Sequence, residues 1–318
     1  MQKLHLGAAQ CALDLGDGSE RAEYVNQDYI LHKLGRPHRA IGIMYTYYPH
    51  DKQWPQRISK ACKDMNITFQ WDYPYDDYFP FNADGQPWEQ MRDIRRHGQD
   101  AALTLTLDCS LSDDELREIA RMLRPYGRMT IRINHECGGT WFTHNKRFTY
   151  EQVGKFFAHF SDIIHQEAPN VRTVFCAGFA QADGKLEKED EFAVAYRAAD
   201  VWSADCYLAL HYGWPYDVAE VGGGQYKTDS VGMYYDMFRR TYERASSQFG
   251  AKPLVTAEFN TDGDVTGPRH QGESVIRFAE TFRDHKADWF KAISLYQFRD
   301  RGRLGLEIED PNNPAVGI

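Results

Sequence analysis

"RMTIRINHE", Arg128 to Glu136, opens with the content of a buried strand and closes on three consecutive polar residues, Asn134, His135 and Glu136. Two glycines and an aromatic pair follow in "CGGTWF", which ends at Phe142. A buried strand that terminates in polar groups costly to desolvate sets them at one end of a sheet. In a barrel of parallel strands, the C-terminal end is where active sites lie. The flanking sequence decides whether such a barrel exists.

On both sides, short runs rich in Val, Ile, Leu, Thr and aromatics alternate with longer runs of helical period. The pattern predicts eight strands: "AIGIMYTYY" (40 to 48), "ITFQWDY" (67 to 73), "ALTLTLD" (102 to 108), "RMTIRINHE" (128 to 136), "VRTVFCAGF" (171 to 179), "VWSADCYL" (201 to 208), "PLVTAEFN" (253 to 260) and "AISLYQF" (292 to 298). Eight is the number that closes an α/β barrel of the (β/α)8 TIM type, and 318 residues suit one such domain. Between the strands, Ser112 with Glu115 and Thr149 with Gln152 read as capping boxes. Behind the second box Val153, Phe156, Phe157, Phe160 and Ile164 recur at helical spacing and read as core. No low-complexity segment, fixed-period repeat or linker divides the chain. A single catalytic barrel over residues 1–318 is expected, with residues 1–36 as an N-terminal extension and "EYVNQDYILHKLGR" (23 to 36) as a helix closing its bottom.

Composition narrows the function classes. The formal net charge is −9, and Lys and Arg are scattered along the chain, so there is no electrostatic footprint for nucleic acid or an anionic membrane. Aromatics make up 14% of the residues, and many fall in polar stretches such as "FQWDYPYDDYFPF" (69 to 81), which suits stacking on flat ligand faces. The six cysteines have no C-x-x-C spacing, which argues against a zinc ribbon or redox pair and for free buried thiols. Such thiols favour a reducing compartment such as the cytoplasm, and "MQKLHLGAAQ" lacks signal-peptide features; a secreted protein with its leader removed would read the same. No apolar run reaches membrane-spanning length. Oligomeric state has no signature in the sequence.

Polar residues at strand ends are the candidates: Trp71, Asp72 and Tyr73, then Asp108, then Asn134, His135 and Glu136, then Asp205 and Tyr207, Glu258 and Asn260, and finally Gln297 and Arg299. Two carboxylates stand out, because Glu136 and Glu258 each close an apolar strand, three strands apart. Facing each other across the mouth, they would suit a glycosidase, which needs one acid and one carboxylate. Spacing alone equally allows a structural ion pair and, less readily, metal ligation. Metal is the weakest reading, since His135-Glu136 lacks the second His of an H-E-x-x-H motif. No cofactor is expected.

Taken together, "RINHECGGTWF", "SADCY" and "LVTAEFN" resemble the retaining glycoside hydrolases of clan A, most closely family twenty-six, the β-mannanases. That family has an Arg-x-x-His-Glu-x-x-Gly-x-Trp pattern, matched at Arg132, His135, Glu136, Gly139 and Trp141. The resemblance implies Glu136 as general acid/base, Glu258 as nucleophile, His135 near the substrate 2-hydroxyl and Tyr207 donating a hydrogen bond to Glu258. It also implies a polysaccharide or oligosaccharide substrate, first of all a β-1,4-mannan cut internally. β-1,3-xylan or mixed-linkage β-glucan would keep the mechanism, and a binding barrel without catalysis would keep only the fold. Two departures bear on substrate: Gly138 stands where the family has Asn, and Gln297 where it usually has a Trp under the reacting sugar.

Around this pair, Trp141 is expected beside the acid/base, and Trp71, with Tyr73 and Tyr75, either lines a sugar subsite or packs as a lid. Trp214 in "HYGWP" (211 to 215) could reach the cleft. Arg132 shares the strand parity of Glu136 and reads as a residue that orients the site. Asn134 has that parity too, so parity does not decide which of Asn134 and His135 faces the sugar. "KLEKEDE" (185 to 191) reads as a solvated charged face.

Overall fold

The structure, a computed structural model, describes residues 12–14, 26–35, 38–50, 79–81, 85–139, 147–178, 183–208, 230–261 and 268–296. Nine parallel strands alternate with helices in this order: β1 (Ala12–Asp14), α1 (Gln27–Leu34), β2 (Ala40–Tyr47), β3 (Phe79–Pro80), α2 (Gln86–Arg96), β4 (Asp100–Leu107), α3 (Asp113–Leu123), β5 (Met129–Ile133), α4 (Tyr150–Glu167), β6 (Val171–Cys176), α5 (Ala193–Ala198), β7 (Val201–Tyr207), α6 (Ser230–Phe249), β8 (Leu254–Asn260), α7 (Pro268–Asp284) and β9 (Phe290–Tyr296). Each ring neighbour pairs in parallel, and β1 pairs with both β9 and β2, so the sheet closes into a (β/α)8 barrel. The two-residue β3 pairs with the upper half of β2, on the edge whose lower half pairs with β1.

One strand of the ring differs from the expected set. β2 pairs directly with β4 along its whole length, from Ala40 opposite Asp100 to Tyr47 opposite Leu107. No strand fits between them. The predicted strand at 67 to 73 lies outside the described residues, and the eighth ring position belongs to Ala12–Asp14, within the segment read as an extension. α1 starts at Asn26, whose side chain caps the Tyr29 amide, and docks on α2 through Gln27 N–H to Asp93 (2.9 Å) and His97 to Asp28 (2.7 Å).

Both capping boxes form as read, at Ser112 and Thr149. The apolar stripe of α4 is buried against Phe175 and Phe192, with the Phe157 and Phe175 rings 4.8 Å apart. The "KLEKEDE" run is docked rather than solvated. Leu186 is buried, the Glu187 carbonyl accepts from Tyr196 Oη (2.7 Å), Lys188 lies over the Tyr150 ring and Glu189 pairs with Arg244. Those contacts set a backbone carbonyl, an ammonium and a carboxylate against α4, α5 and α6, partners that composition alone does not reveal. Cys109, Cys137, Cys176 and Cys206 are free thiols. Among the described residues, no helix is long and apolar enough to cross a membrane.

Candidate active site

β5 ends at Ile133, and the chain then leaves extended geometry abruptly: Asn134 and Glu136 both have left-handed backbones, with φ of +60° and +43°. The turn is held from both neighbouring strands. The Asn134 side chain accepts the Leu107 amide (2.7 Å) at the end of β4, and the amides of Cys137 and Gly138 donate to the carbonyls of Cys176 (2.9 Å) and Ala177 (2.7 Å) at the end of β6. Gly138 is dictated by this contact. A Cβ there would lie 1.9 Å from the Ala177 oxygen and 2.6 Å from Glu187 Cγ, so the Asn of the resembled family has no room.

Beneath the turn, Arg132 crosses the barrel interior. Its Nε donates to Thr104 (3.0 Å), one terminal nitrogen reaches both oxygens of Asp205 (3.2 and 3.3 Å), and the other donates to Glu258 Oε1 (2.5 Å). His135 Nε2 meets the same Oε1 at 2.6 Å, and Tyr207 Oη donates to Oε2 at 2.8 Å. Glu258 therefore has partners on both oxygens. Asp205 and Glu258 each sit where the ladder slips register, β7 against β8 between Ala204 and Cys206, and β8 against β9 between Thr256 and Phe259. Such irregularities re-aim side chains toward a barrel mouth.

Electrostatics separates the two glutamates. Burial alone would raise the pKa of Glu258, but the charges and hydrogen bonds of His135 and Arg132 outweigh it and hold the carboxyl well below the usual range. Glu136 goes the other way. Burial and the neighbouring charges of Glu258 and Asp205 push its pKa well up, with Arg132 only partly opposing, and its carboxyl shares a hydrogen bond with Asp205. Asp205 is itself raised to about 7 by burial and by Glu258. In that bond the proton sits on Glu136, because acceptance by Asp205 favours its charged form. Burial and the adjacent Glu258 also raise Tyr207, which keeps it a donor.

His135, Glu136, Asp205 and Glu258 present ligand atoms within 4.8 Å of one another. Three carboxylates and an imidazole form a donor set that a divalent cation accepts. Arg132 already supplies a cation to two of those carboxylates. Oxygens of Glu136 and Glu258 no more than 4.8 Å apart, in opposed protonation states, also match the carboxyl pair of double displacement at a glycosidic carbon.

Of the expected site residues, Glu136, Glu258, His135, Tyr207 and Arg132 converge here. Arg132 and Asn134 are spent on contacts inside the protein. Arg132 is buried and committed to Thr104, Asp205 and Glu258, so it orients carboxylates rather than binding sugar. Asn134 is buried with its side-chain amide spent on Leu107 and on Cys109 Sγ (3.5 Å), whereas His135, also buried, reaches Glu258. Trp71, Trp141, Trp214 and Gln297 lie outside the described residues. Asp205 was noted at a strand end but not put forward for the site. The available signal was its parity with Tyr207, since residues two apart on a strand share a face. Tyr296, at the end of β9, meets the Tyr207 ring edge-on at 6.0 Å, and its carbonyl is held by the Asn260 amide.

No family model and no curated protein matches the chain by sequence. Solved structures match it in fold. A GH113 β-1,4-mannanase is 9% identical with a TM-score of 0.55, over 99% of this chain and 93% of that one. An Ignisphaera aggregans GH53 catalytic domain is 12% identical with a TM-score of 0.54, over 92% and 87%. A calcium-binding mutant of Bacteroides uniformis β-glucuronidase 2 is 11% identical with a TM-score of 0.53, over 96% of this chain and 32% of that one, so this chain spans about a third of that enzyme's length. The solved structures that the chain is similar to include many glycoside hydrolases of clan GH-A, and what they share with it at such low identity is the (β/α)8 barrel.

Proposed function

We propose that the chain is a retaining β-glycoside hydrolase acting on a β-linked polysaccharide, with an internal β-1,4-mannan linkage as its first substrate candidate. One observation carries the reading: two strand-end carboxyls within 4.8 Å, one held protonated and the other held ionised. Glu258, fixed by Arg132, His135 and Tyr207, attacks the anomeric carbon, while the Glu136 proton passes to the departing glycosidic oxygen. Esterification removes the Glu258 charge. The repulsion that raised the Glu136 pKa then falls, so Glu136 is left as a carboxylate able to deprotonate the attacking water. Mannan is favoured by the Arg-x-x-His-Glu resemblance, and the fold shared with clan GH-A hydrolases agrees with the reaction class.

The test is product release from β-mannan, β-1,3-xylan, β-1,4-xylan and mixed-linkage glucan by wild type, Glu136→Gln and Glu258→Gln. Cleavage of one polymer by wild type, lost in both folded variants, supports the assignment and names the substrate. Binding without cleavage points to a non-catalytic carbohydrate-binding barrel, and full activity in either variant removes that glutamate from the mechanism.

A further inference from the structure

We propose that the underside of the barrel carries a second binding site, for anionic sugar chains, centred on Arg92, Arg95 and Arg96. One stretch of α2 supplies all three, and the fold brings Arg39 and Arg128 to Asp100 beside them. The C-terminal half of α2 and the turn 124–127 before β5 border a groove of about 930 Å³, lined by Glu89, Arg92, Asp93, Arg95, Arg96 and Tyr126 among others. Both elements lead into the N-terminal ends of strands, so the groove faces away from the catalytic mouth, roughly 25 Å off along the eight residues of β4.

The charge there is unbalanced in its favour. Asp100, at the start of β4, is shared by three guanidinium groups, those of Arg39 (3.0 Å), Arg95 (3.0 Å) and Arg128 (2.8 Å). One carboxylate neutralises one of them. Adding Arg92 and Arg96, with Glu89 and Asp93, leaves more guanidinium than carboxylate around the groove of a chain whose net charge is −9. The arrangement is built into the backbone. Gly127, with φ of +69°, lets the Arg95 guanidinium lie against the turn, where any Cβ would sit 2.8 Å from Arg95 Nε. Arg92 and Arg96 are exposed, Arg96 with one terminal nitrogen on Asp93 (2.6 Å), and guanidinium groups bind carboxylate and sulfate oxygens through paired N–H donors. Tyr126, stacked on Trp88 with ring centroids 5.6 Å apart, adds a flat aromatic wall suited to a sugar ring. Anion recognition follows from this geometry alone. That a sugar chain carries the anions rests on the hydrolase reading.

The experiment is affinity electrophoresis of the full chain in native gels containing polygalacturonate, dextran sulfate, neutral dextran or duplex DNA. Expected is retardation by polygalacturonate or dextran sulfate, the responding gel naming carboxylate or sulfate as the recognised group, and its loss at roughly 0.5 M salt. The apparent Kd should rise about tenfold in Arg92→Glu/Arg96→Glu, whose fold is checked by circular dichroism, and stay unchanged in Glu258→Gln. The site is overturned by equal retardation in the double variant, by retardation in neutral dextran or only in DNA, by no retardation, or by loss in Glu258→Gln. None of these readouts depends on hydrolysis, so the two proposals fail separately.

Discussion

Replacing Asp205 by asparagine keeps the shape of the site and removes one charge. In the native site Asp205 is fully buried, accepts from Arg132 and shares the Glu136 proton. A unit charge no more than 4.8 Å from the Glu136 carboxyl, in an effective medium of dielectric about 20, disfavours ionisation by at least about 3.5 kcal/mol. At about 1.36 kcal/mol per pH unit this is worth about 2.5 units, and Arg132 cancels a part, so Asp205→Asn should lower the Glu136 pKa by about one to two. The new amide also reverses the hydrogen bond. With Arg132 still holding the side-chain oxygen, its NH2 donates to Glu136 and favours the ionised form. A general acid works while protonated, so activity falls as pH rises through its pKa. The descending limb of kcat/KM on the cleaved glycan should therefore move to lower pH by about one to two units. Infrared difference spectra reporting the Glu136 carboxyl band provide the same measurement when turnover is weak. A limb and a band that stay in place, or move to higher pH, would refute a charged Asp205 as the cause of the raised Glu136 pKa.

Arg132→Met strips the cation from Asp205 and Glu258 and should cost about 3–5 kcal/mol, about 6 °C in Tm for a chain of this size; adding Asp205→Asn and Glu258→Gln should restore part of it in calorimetry, and an unchanged Tm would contradict the pairing. Gly138→Ala forces a Cβ onto the Ala177 carbonyl, so the urea midpoint should fall by the equivalent of about 1–3 kcal/mol or more, with activity falling alongside it. The Asp93 carbonyl and then Asp28 raise the His97 pKa, which makes its contribution present below the unfolded value near 6.5 and lost as pH rises through the folded one. His97→Leu should thus lose more stability at about pH 5 than at about pH 9 in urea titrations, and equal losses would remove the α1–α2 clasp as a charged contact.

The apolar runs from 102 onward marked strands to within a few residues, because buried parallel strands need them on both faces. Ala12–Asp14 escaped for the opposite reason: three residues carry no period, and their place in the ring comes from two neighbouring strands. Glu136 and Glu258 were legible as carboxyls closing apolar strands, a position costly enough to demand a reason. The part Asp205 plays was not, and neither was the pairing of Arg132 with Asp205 and Glu258, since these contacts cross the barrel, 73 and 126 residues apart along the chain. The arginine groove was hidden in the same way. Its three arginines sit together on α2, but Arg39 and Arg128, which share Asp100 with Arg95, join them only when the chain folds.

Strand parity also explains why the site needs strain. Had the chain continued as a strand beyond Ile133, alternation would put Arg132, Asn134 and Glu136 on one face and His135 on the other. His135 could not then reach Glu258 while Glu136 reached Asp205. Left-handed backbones at Asn134 and Glu136 break the alternation and bring both side chains into one cluster, at a cost on the order of 1 kcal/mol or more for each residue. That cost has to be offset locally. The Asn134 amide spent on Leu107, and the Cys137 and Gly138 amides spent on β6, are the bonds available to do it. The same reasoning accounts for an asparagine at 134, whose side chain both tolerates φ of +60° and supplies one of those bonds, and for a glycine at 138, the only residue that lets the chain approach β6 closely enough to make another.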